Sequence, residues 1–387
     1  MGQQQKTDHL TAGDLSRWRL VQDFQRRLQK AAEEKGLHGT WLDPKRLFGH
    51  EDYFSLFLFA LLNPVVETMR GLCAATKLRR VQKEISRRRV SLGSFSEAQH
   101  LADPELLAQV FRTLATEMSG ATPGRSPGGR SWLIQDSSLF EALPRMHWAL
   151  WRRQGRAQAQ VRLHLSLEMG TGNPARASIT PGKVCERAAW RGLWKRGDAY
   201  VGDRYYGENY QLFTELDEAG VAFVVRLRDE AVLQEEQKLP LSAADTAAKV
   251  IGSAWVRLGC NDRYRSNRVR VVWVQTAKEV LRLVTNLNTS ELTGAEVALL
   301  YKERWQIELF FRWVKCILGC RHWLAESPRG AAIELYLALI AALLLQLYTG
   351  VRPNRRLMEM IRWYLVGMAS LAELWSAIDK AKVGKKF

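Results

Sequence analysis

Hydrophobic and polar residues alternate along this chain at two different periods, and the changes of period mark its elements. From Val161 to Met169 the period is two. Val161, Leu163, Leu165, Leu167 and Met169 fall on one side, and Arg162, His164, Ser166 and Glu168 on the other. This predicts a strand with two unlike faces. Trp132-Leu133-Ile134-Gln135-Asp136 reads as a buried strand with a carboxylate at its end. Ala199-Tyr200-Val201 reads as a short strand leading into Gly202-Asp203, and Val221 to Leu227 as another strand. Between these the helical period returns. Thr180 to Trp194 reads as a helix, and Glu208 to Ala219 as an amphipathic one carrying Tyr210, Leu212, Phe213 and Leu216, stopped at Gly220. Strand-like runs at Ala254 to Leu258, Arg268 to Gln275 and Val280 to Asn286 predict a mainly β insertion before the next helix.

Both ends of the chain read as helical. Asp14 caps a helix running to about Lys35, whose face mixes Leu15, Trp18, Val21 and Phe24 with Arg17, Arg19, Arg26 and Arg27. Asp43-Pro44 opens a second helical region, which holds the apolar run Phe54 to Leu62. Asp103-Pro104-Glu105 starts a helix reaching about Met118. Ser119 to Ser131 is rich in Gly, Pro and Ser and reads as a linker or loop. Ala331 to Tyr348 is the most apolar stretch. Glu334 interrupts it and leaves an uncharged run of 11 residues, Leu335 to Leu345. A bilayer span needs about 20, so this reads as a buried helix. Arg352 to Phe387 is again helical. The expected division is a helical region at 1–118, a linker at 119–131, an α/β core at 132–350 with a β-rich insertion at 228–298, and a helical region at 351–387.

Charge narrows the partner. The formal net charge is +17 and the pI is near 9.9, which predicts a polyanion, either nucleic acid or an anionic membrane. The short apolar run and the absence of a signal-peptide pattern at Met1 to Asp8 disfavour the membrane. Arg79, Arg80, Lys83, Arg87, Arg88 and Arg89, crowded around the single acid Glu84, favour phosphate contact over a merely solvated face. The five scattered cysteines form no disulfide framework and fit a reducing cytoplasm. Cys316, Cys320 and His322 lack a second ligand pair for zinc.

The chemistry gathers at 300–315, read as one helix. At about 100° per residue, Tyr301, Arg304, Glu308 and Lys315 share a stripe about 60° wide, while Ile307, Phe310, Val314 and Ile317 lie opposite and are expected to be buried. One carboxylate, two fixed cations and a phenol on one face suit a metal ion and the phosphates around it. Arg304 and Glu308 alone would be an ordinary i,i+4 ion pair. The full spacing Tyr-x2-Arg-x3-Glu-x6-Lys, with Trp305 after the arginine, resembles the signature of the bacterial cut-and-paste insertion-sequence transposases of the Tyr-Arg-Glu-Lys group. Gln135-Asp136-Ser137 and Gly202-Asp203-Arg204-Tyr205-Tyr206 resemble that family's two aspartate blocks, and Ser91 to Leu114 the segment before its core.

The order of strands and helices, with acids at two strand ends, is what an RNase H-like core requires. The resemblance implies that Asp136, Asp203 and Glu308 are the catalytic acids. Their hard oxygens suit two Mg²⁺ or Mn²⁺ ions. It further implies that Tyr301, Arg304 and Lys315 hold the terminal nucleotides of the DNA end. Trp305 would be a stacking wall for a flipped base, with Trp273 or Trp255 as the opposite wall. Arg204 is a further phosphate candidate. The partners so implied are double-stranded DNA, as terminal inverted repeats and target, and a second copy of the chain, with 351–387 either dimerising or closing the core. Two other functions stay open: a different metal-dependent nuclease on the same core, and a catalytically silent DNA-binding derivative. Three acids and a complete signature speak against the last.

Overall fold

The computed structural model describes residues 19–36, 48–119, 126–143, 145–153, 156–259, 268–317, 323–352 and 354–383. The expected cap at Asp14, the start at Asp43-Pro44, and the Cys320 and His322 weighed for zinc lie outside them. Among the described residues six helices come first: α1 (Arg19–Glu34), α2 (His50–Leu62), α3 (Met69–Ala75), α4 (Arg79–Glu84), α5 (Leu92–Leu101) and α6 (Pro104–Met118). The run Phe54 to Leu62 is buried on all sides of α2. Asp103 caps α6 by accepting the Glu105 N–H, with Pro104 in the first turn.

The α/β core then runs β1 (Trp132–Glu141), β2 (Leu150–Arg153), β3 (Arg156–Glu168), β4 (Pro174–Pro181), α7 (Glu186–Arg191), β5 (Ala199–Gly202), α8 (Tyr210–Glu218) and β6 (Ala222–Arg226). β7 (Leu233–Lys238), the short α9 (Ala243–Ala247), β8 (Val250–Leu258), β9 (Val269–Gln275) and β10 (Val280–Thr285) follow. Last come α10 (Gly294–Glu303), α11 (Trp305–Ile317), α12 (Pro328–Thr349), α13 (Arg355–Leu365) and α14 (Leu371–Val383).

β4, β3 and β1 pair antiparallel, and β5 and β6 join parallel to β1, giving the order β4-β3-β1-β5-β6. This is the RNase H-like arrangement expected from the order of elements. The β-rich stretch 228–298 does not stand apart from it. β10 pairs with β6, and β9, β8 and β7 continue outward, so the insertion extends the core sheet. One face of the sheet packs α7 and α8 through Leu133, Trp190, Tyr200, Phe213 and Phe223. The other packs α10 through Trp132, Val201, Val224 and Leu300, and α11 through Ile134, Phe140, Ile307 and Val314. Both faces being covered explains why His164 and Ser166, on the polar side of β3, are as buried as its leucines.

α12 passes through the largest hydrophobic cluster, where residues of α1, α2 and α6 meet the core. By length and composition it could cross a membrane, but 78% of its apolar window is buried inside the protein. Its Glu334 accepts the Ala325 N–H at 2.8 Å, and burial pushes this carboxyl up to about 8.

Two expected helices differ. Thr180 to Trp194 is not one helix: its start belongs to β4, and only Glu186–Arg191 is helical. Pairing with β3 takes the residues up to Pro181, and the Gly182 N–H is spent on the Gln160 carbonyl rather than on a helical turn. The stretch 300–315 is also not one helix. It breaks at Arg304, where the Arg304 N–H bonds the Tyr301 carbonyl and the Ile307 N–H bonds the Arg304 carbonyl. Two successive i→i+3 bonds tighten the turn between α10 and α11, while the Arg304 backbone stays in the right-handed helical region.

Candidate active site

Parallel pairing sets the first two acids side by side. The last registered couple of β1 and β5 is Ile134 with Val201. Asp136, in the middle of β1, and Asp203, just past the end of β5, each lie two residues beyond that couple, near enough that Asp136 feels the charge of Asp203. Asp136 Oδ1 accepts the Ser137 N–H at 2.7 Å, and Asp203 Oδ1 accepts the Tyr205 N–H at 2.9 Å. Burial pushes the Asp136 carboxyl up to about 7, helped by the negative charges of Asp203 and Glu186, while Arg304 pulls it down. Burial also raises Asp203, against two backbone N–H bonds and the cations Arg304 and Arg204. Two partly desolvated carboxylates this near each other resist being ionised together.

Glu308, in the first turn of α11, is held by the Arg304 guanidinium. Arg304 is the link: it bonds Glu308, and its charge is felt by Asp136 and Asp203. Among the described residues, no three Asp, Glu, His or Cys side chains stand close enough to hold one ion. The expected convergence of three acids is therefore, in this arrangement, an aspartate pair with the third acid engaged by an arginine. Arg304 supplies a positive charge where the sequence predicts metal, and a site that attracts one cation this way has the oxygen donors to take another.

The remaining signature residues surround this point. The Tyr301 ring lies 5.8 Å from the Arg304 guanidinium carbon; burial pushes its phenol up, against the charges of Arg304 and Arg226. Arg226, at the end of β6, forms a two-pronged pair with Glu279 at 3.0 and 2.6 Å. Trp305 is 50% exposed, unusual for so large a ring. Lys315 places its ammonium 5.2 Å from the Phe140 ring centre on β1. Arg204 is exposed beside Asp203 and lines a recess of about 240 Å³ with Arg226 and Arg228. Trp273 packs close to Gly252, and Trp255 carries the Arg268 guanidinium over its ring at 5.1 Å. Arg79, Arg80, Lys83, Arg87, Arg88 and Arg89 are all exposed, on and just after α4 rather than at the strand ends.

Sequence reasoning missed Glu186. It is hidden inside a segment that reads as continuous helix, with no local motif around it. In the fold it opens α7 and forms an ion pair with Arg162 of β3. Two further acids close in sequence to Asp203, Asp198 and Glu208, are engaged elsewhere, with Arg176 and with Arg187 and Arg228.

A family profile described as a transposase DDE domain matches residues 127–344. A Sinorhizobium fredii protein bearing a transposase name is 28% identical over 262 residues, 67% of this chain and 71% of that one. A Geobacillus stearothermophilus protein named for the transposase of insertion sequence element IS5377 is 27% identical over 215 residues, 55% of each. A Synechocystis protein named for the transposase of element IS4SA is 25% identical over 311 residues, 76% of this chain and 80% of that one. Among solved structures, a piggyBac transposase synaptic complex with hairpin DNA is similar at TM-score 0.41 and 11% identity, covering 87% of this chain and 74% of that one.

Proposed function

Because this chain belongs to the DDE transposase family, we propose that it binds the terminal inverted repeats of a mobile element, cleaves the element ends and joins their 3′ ends to target DNA. Asp136 and Asp203, side by side and facing the Arg304–Glu308 pair, carry this conclusion. Two crowded carboxylates are a site short of positive charge, and their hard oxygens fit Mg²⁺ or Mn²⁺. Asp136, Asp203 and Glu308 would hold two such ions. When bound, the ions supply activation of the attacking water or 3′-hydroxyl and stabilisation of the leaving oxygen.

The chain's own side chains do the rest. Arg304 turns from Glu308 to a DNA phosphate, which frees the third carboxylate. Tyr301 donates a hydrogen bond to phosphate, and Lys315 and Arg204 neutralise neighbouring phosphate oxygens. Trp305, already half in solvent, stacks on a base at the cleaved end. The exposed cations Arg79, Arg80, Lys83, Arg87, Arg88 and Arg89 hold the duplex further out. Two copies of the chain bridge the two ends of the element.

Incubation of the full chain with labelled element-end DNA, target plasmid and Mg²⁺ tests this. Cleaved ends joined to the target are expected, and Glu308→Gln is expected to lower both steps by more than about 100-fold, since even the outer partners of a metal site cost about 10–100-fold. Cleavage without joining would make the protein a nuclease on the same core. Cleavage that survives Glu308→Gln would remove Glu308 from the site.

A further inference from the structure

A second layer of polar groups lies on the other side of the sheet from Asp136. Alternation along β1 turns Asp136 with Ile134 toward α11, and Ser137 with Leu133 and Gln135 toward α7 and α8. β3 brings its own polar side to that second face, with His164 paired opposite Ser137 and Ser166 opposite Gln135. The Ser166 hydroxyl donates to Gln135 Oε1 at 2.7 Å, and His164 Nε2 lies 2.9 Å from Thr180 Oγ1. At the end of this row, one Arg162 nitrogen donates both to Ser137 Oγ at 2.9 Å and to the Glu186 carboxylate. Arg162 Nε also donates to the Gly182 carbonyl at 3.3 Å. The Arg162 and Glu186 side chains are only 12% and 18% exposed.

Stability alone is a poor reason for this pair. Withdrawing two charges from water costs about as much as their attraction returns, and apolar residues of the same volume serve a core as well. Its location offers a better reason. Ser137 is the residue whose hydroxyl Arg162 grips from the far face, and its backbone N–H holds Asp136 Oδ1 on the near face. The grip therefore passes through a single residue from one side of the sheet to the other.

We propose that Glu186 is a positioning residue for Asp136, acting through Arg162 and Ser137 to fix the stretch of β1 that aims the Asp136 carboxylate. This rests on the reading of Asp136 as a metal ligand. Glu186 holds the guanidinium, the guanidinium holds the serine hydroxyl, and the serine amide holds the carboxylate in one orientation while a divalent charge arrives. Partners of this outer kind typically change metal affinity by about 10–100-fold.

The test is a double-mutant cycle on the full chain, with Mn²⁺ alone as probe and free Mn²⁺ followed by electron paramagnetic resonance. Glu186→Gln and Ser137→Ala are each expected to weaken Mn²⁺ binding by about 10-fold or more. The double variant is expected to be no weaker than the worse single one, because both cut one link. Losses that multiply would mean that Glu186 acts independently of Ser137 and would overturn the proposal. Unchanged affinity in Glu186→Gln, with binding abolished in Asp136→Asn, would overturn it while leaving the metal site intact. Binding that Asp136→Asn leaves untouched would instead overturn the functional reading beneath it. Thermal midpoints are measured alongside: a fall in midpoint with full affinity in the folded fraction means a purely structural pair and also overturns the proposal. Should Glu186→Gln not fold, Arg162→Lys, which keeps the charge but loses the guanidinium fork, takes its place in the cycle with the same outcomes.

Discussion

Asp136 holds a proton more tightly in the folded chain than in the unfolded one: its carboxyl is pushed from 3.8 to about 7, chiefly by burial. Below about pH 4 both states are protonated and the group costs nothing. As pH rises from about 4 to 7 the unfolded state gives up its proton first, so the metal-free fold loses stability, and above about 7 the loss is complete. At about 1.4 kcal/mol per unit, the shift caps the effect at about 4 kcal/mol. Asp136→Asn should therefore raise the melting temperature of the metal-free chain, by an amount that grows between about pH 4 and 7 and then levels off. With Mn²⁺ the order should reverse, because only the parent gains a ligand for the ion. Thermal melts of both proteins across pH, with and without Mn²⁺, check this, and a difference flat in pH would refute the burial of that carboxylate.

At the level of elements, the break between α10 and α11 needs both helices held at their own starts. α10 is anchored from the extension of the sheet. Asp245 of α9 is 7% exposed; its Oδ1 accepts the Ala295 N–H at 2.7 Å and its Oδ2 the Ser242 N–H at 2.9 Å. It is also the first of the acids whose charge supports Arg270, a fully buried arginine on β9 that burial drives down to about 10. Arg270 in turn donates to the Leu292 carbonyl at 2.6 Å, just before α10. The β-rich extension thus braces the helix that carries Tyr301. Asp245→Ala should cost about 2 kcal/mol through its lost caps, read by denaturant unfolding, and should speed hydrogen exchange at the first amides of α10. Exchange unchanged at those amides would show that the brace lies elsewhere.

Over the whole molecule, a charge of +17 is spread unevenly. Many of the basic residues near the aspartates are paired with acids: Arg226 with Glu279, Arg228 with Glu208, Arg162 with Glu186, Arg304 with Glu308. The cations on and after α4 are exposed, and the acids that feel Arg87 and Arg88 are Glu51 and Asp52 of α2. On the proposed function, long-range attraction of DNA would fall to that second group. Replacing Arg79 and Arg80 together by Ala should lower the slope of log K against log salt by about 2, at roughly 0.9 for each phosphate no longer neutralised. Little change in melting temperature is expected, because both side chains lie in solvent. Binding to element-end DNA at several salt concentrations measures it. A weaker K with an unchanged slope would mean that these arginines do not touch phosphate.

What could be read from the chain alone was whatever neighbouring residues encode. The alternation of β3, the strand that ends at Gly202 before Asp203, the buried α12 and the fixed spacing of Tyr301, Arg304, Glu308 and Lys315 are all local patterns, set by side-chain periodicity within one element. The expected strand end at Asp136 is not one: pairing with β3 carries β1 on to Glu141 and leaves Asp136 mid-strand. Tertiary structure decided what depends on a partner far along the chain. Pairing with β3 drew residues 174–181 into a strand where their sequence reads in part as helix, and edge pairing with β6 made the insertion continuous with the core. Packing against two different parts of one sheet face accompanies the helix break at Arg304. The parallel pairing of β1 with β5 brought the two aspartates near each other, and the far face of β1 brought Glu186 close to Ser137 through Arg162. Strand register and cross-sheet packing join residues tens of positions apart, and no periodicity within a single element carries that information.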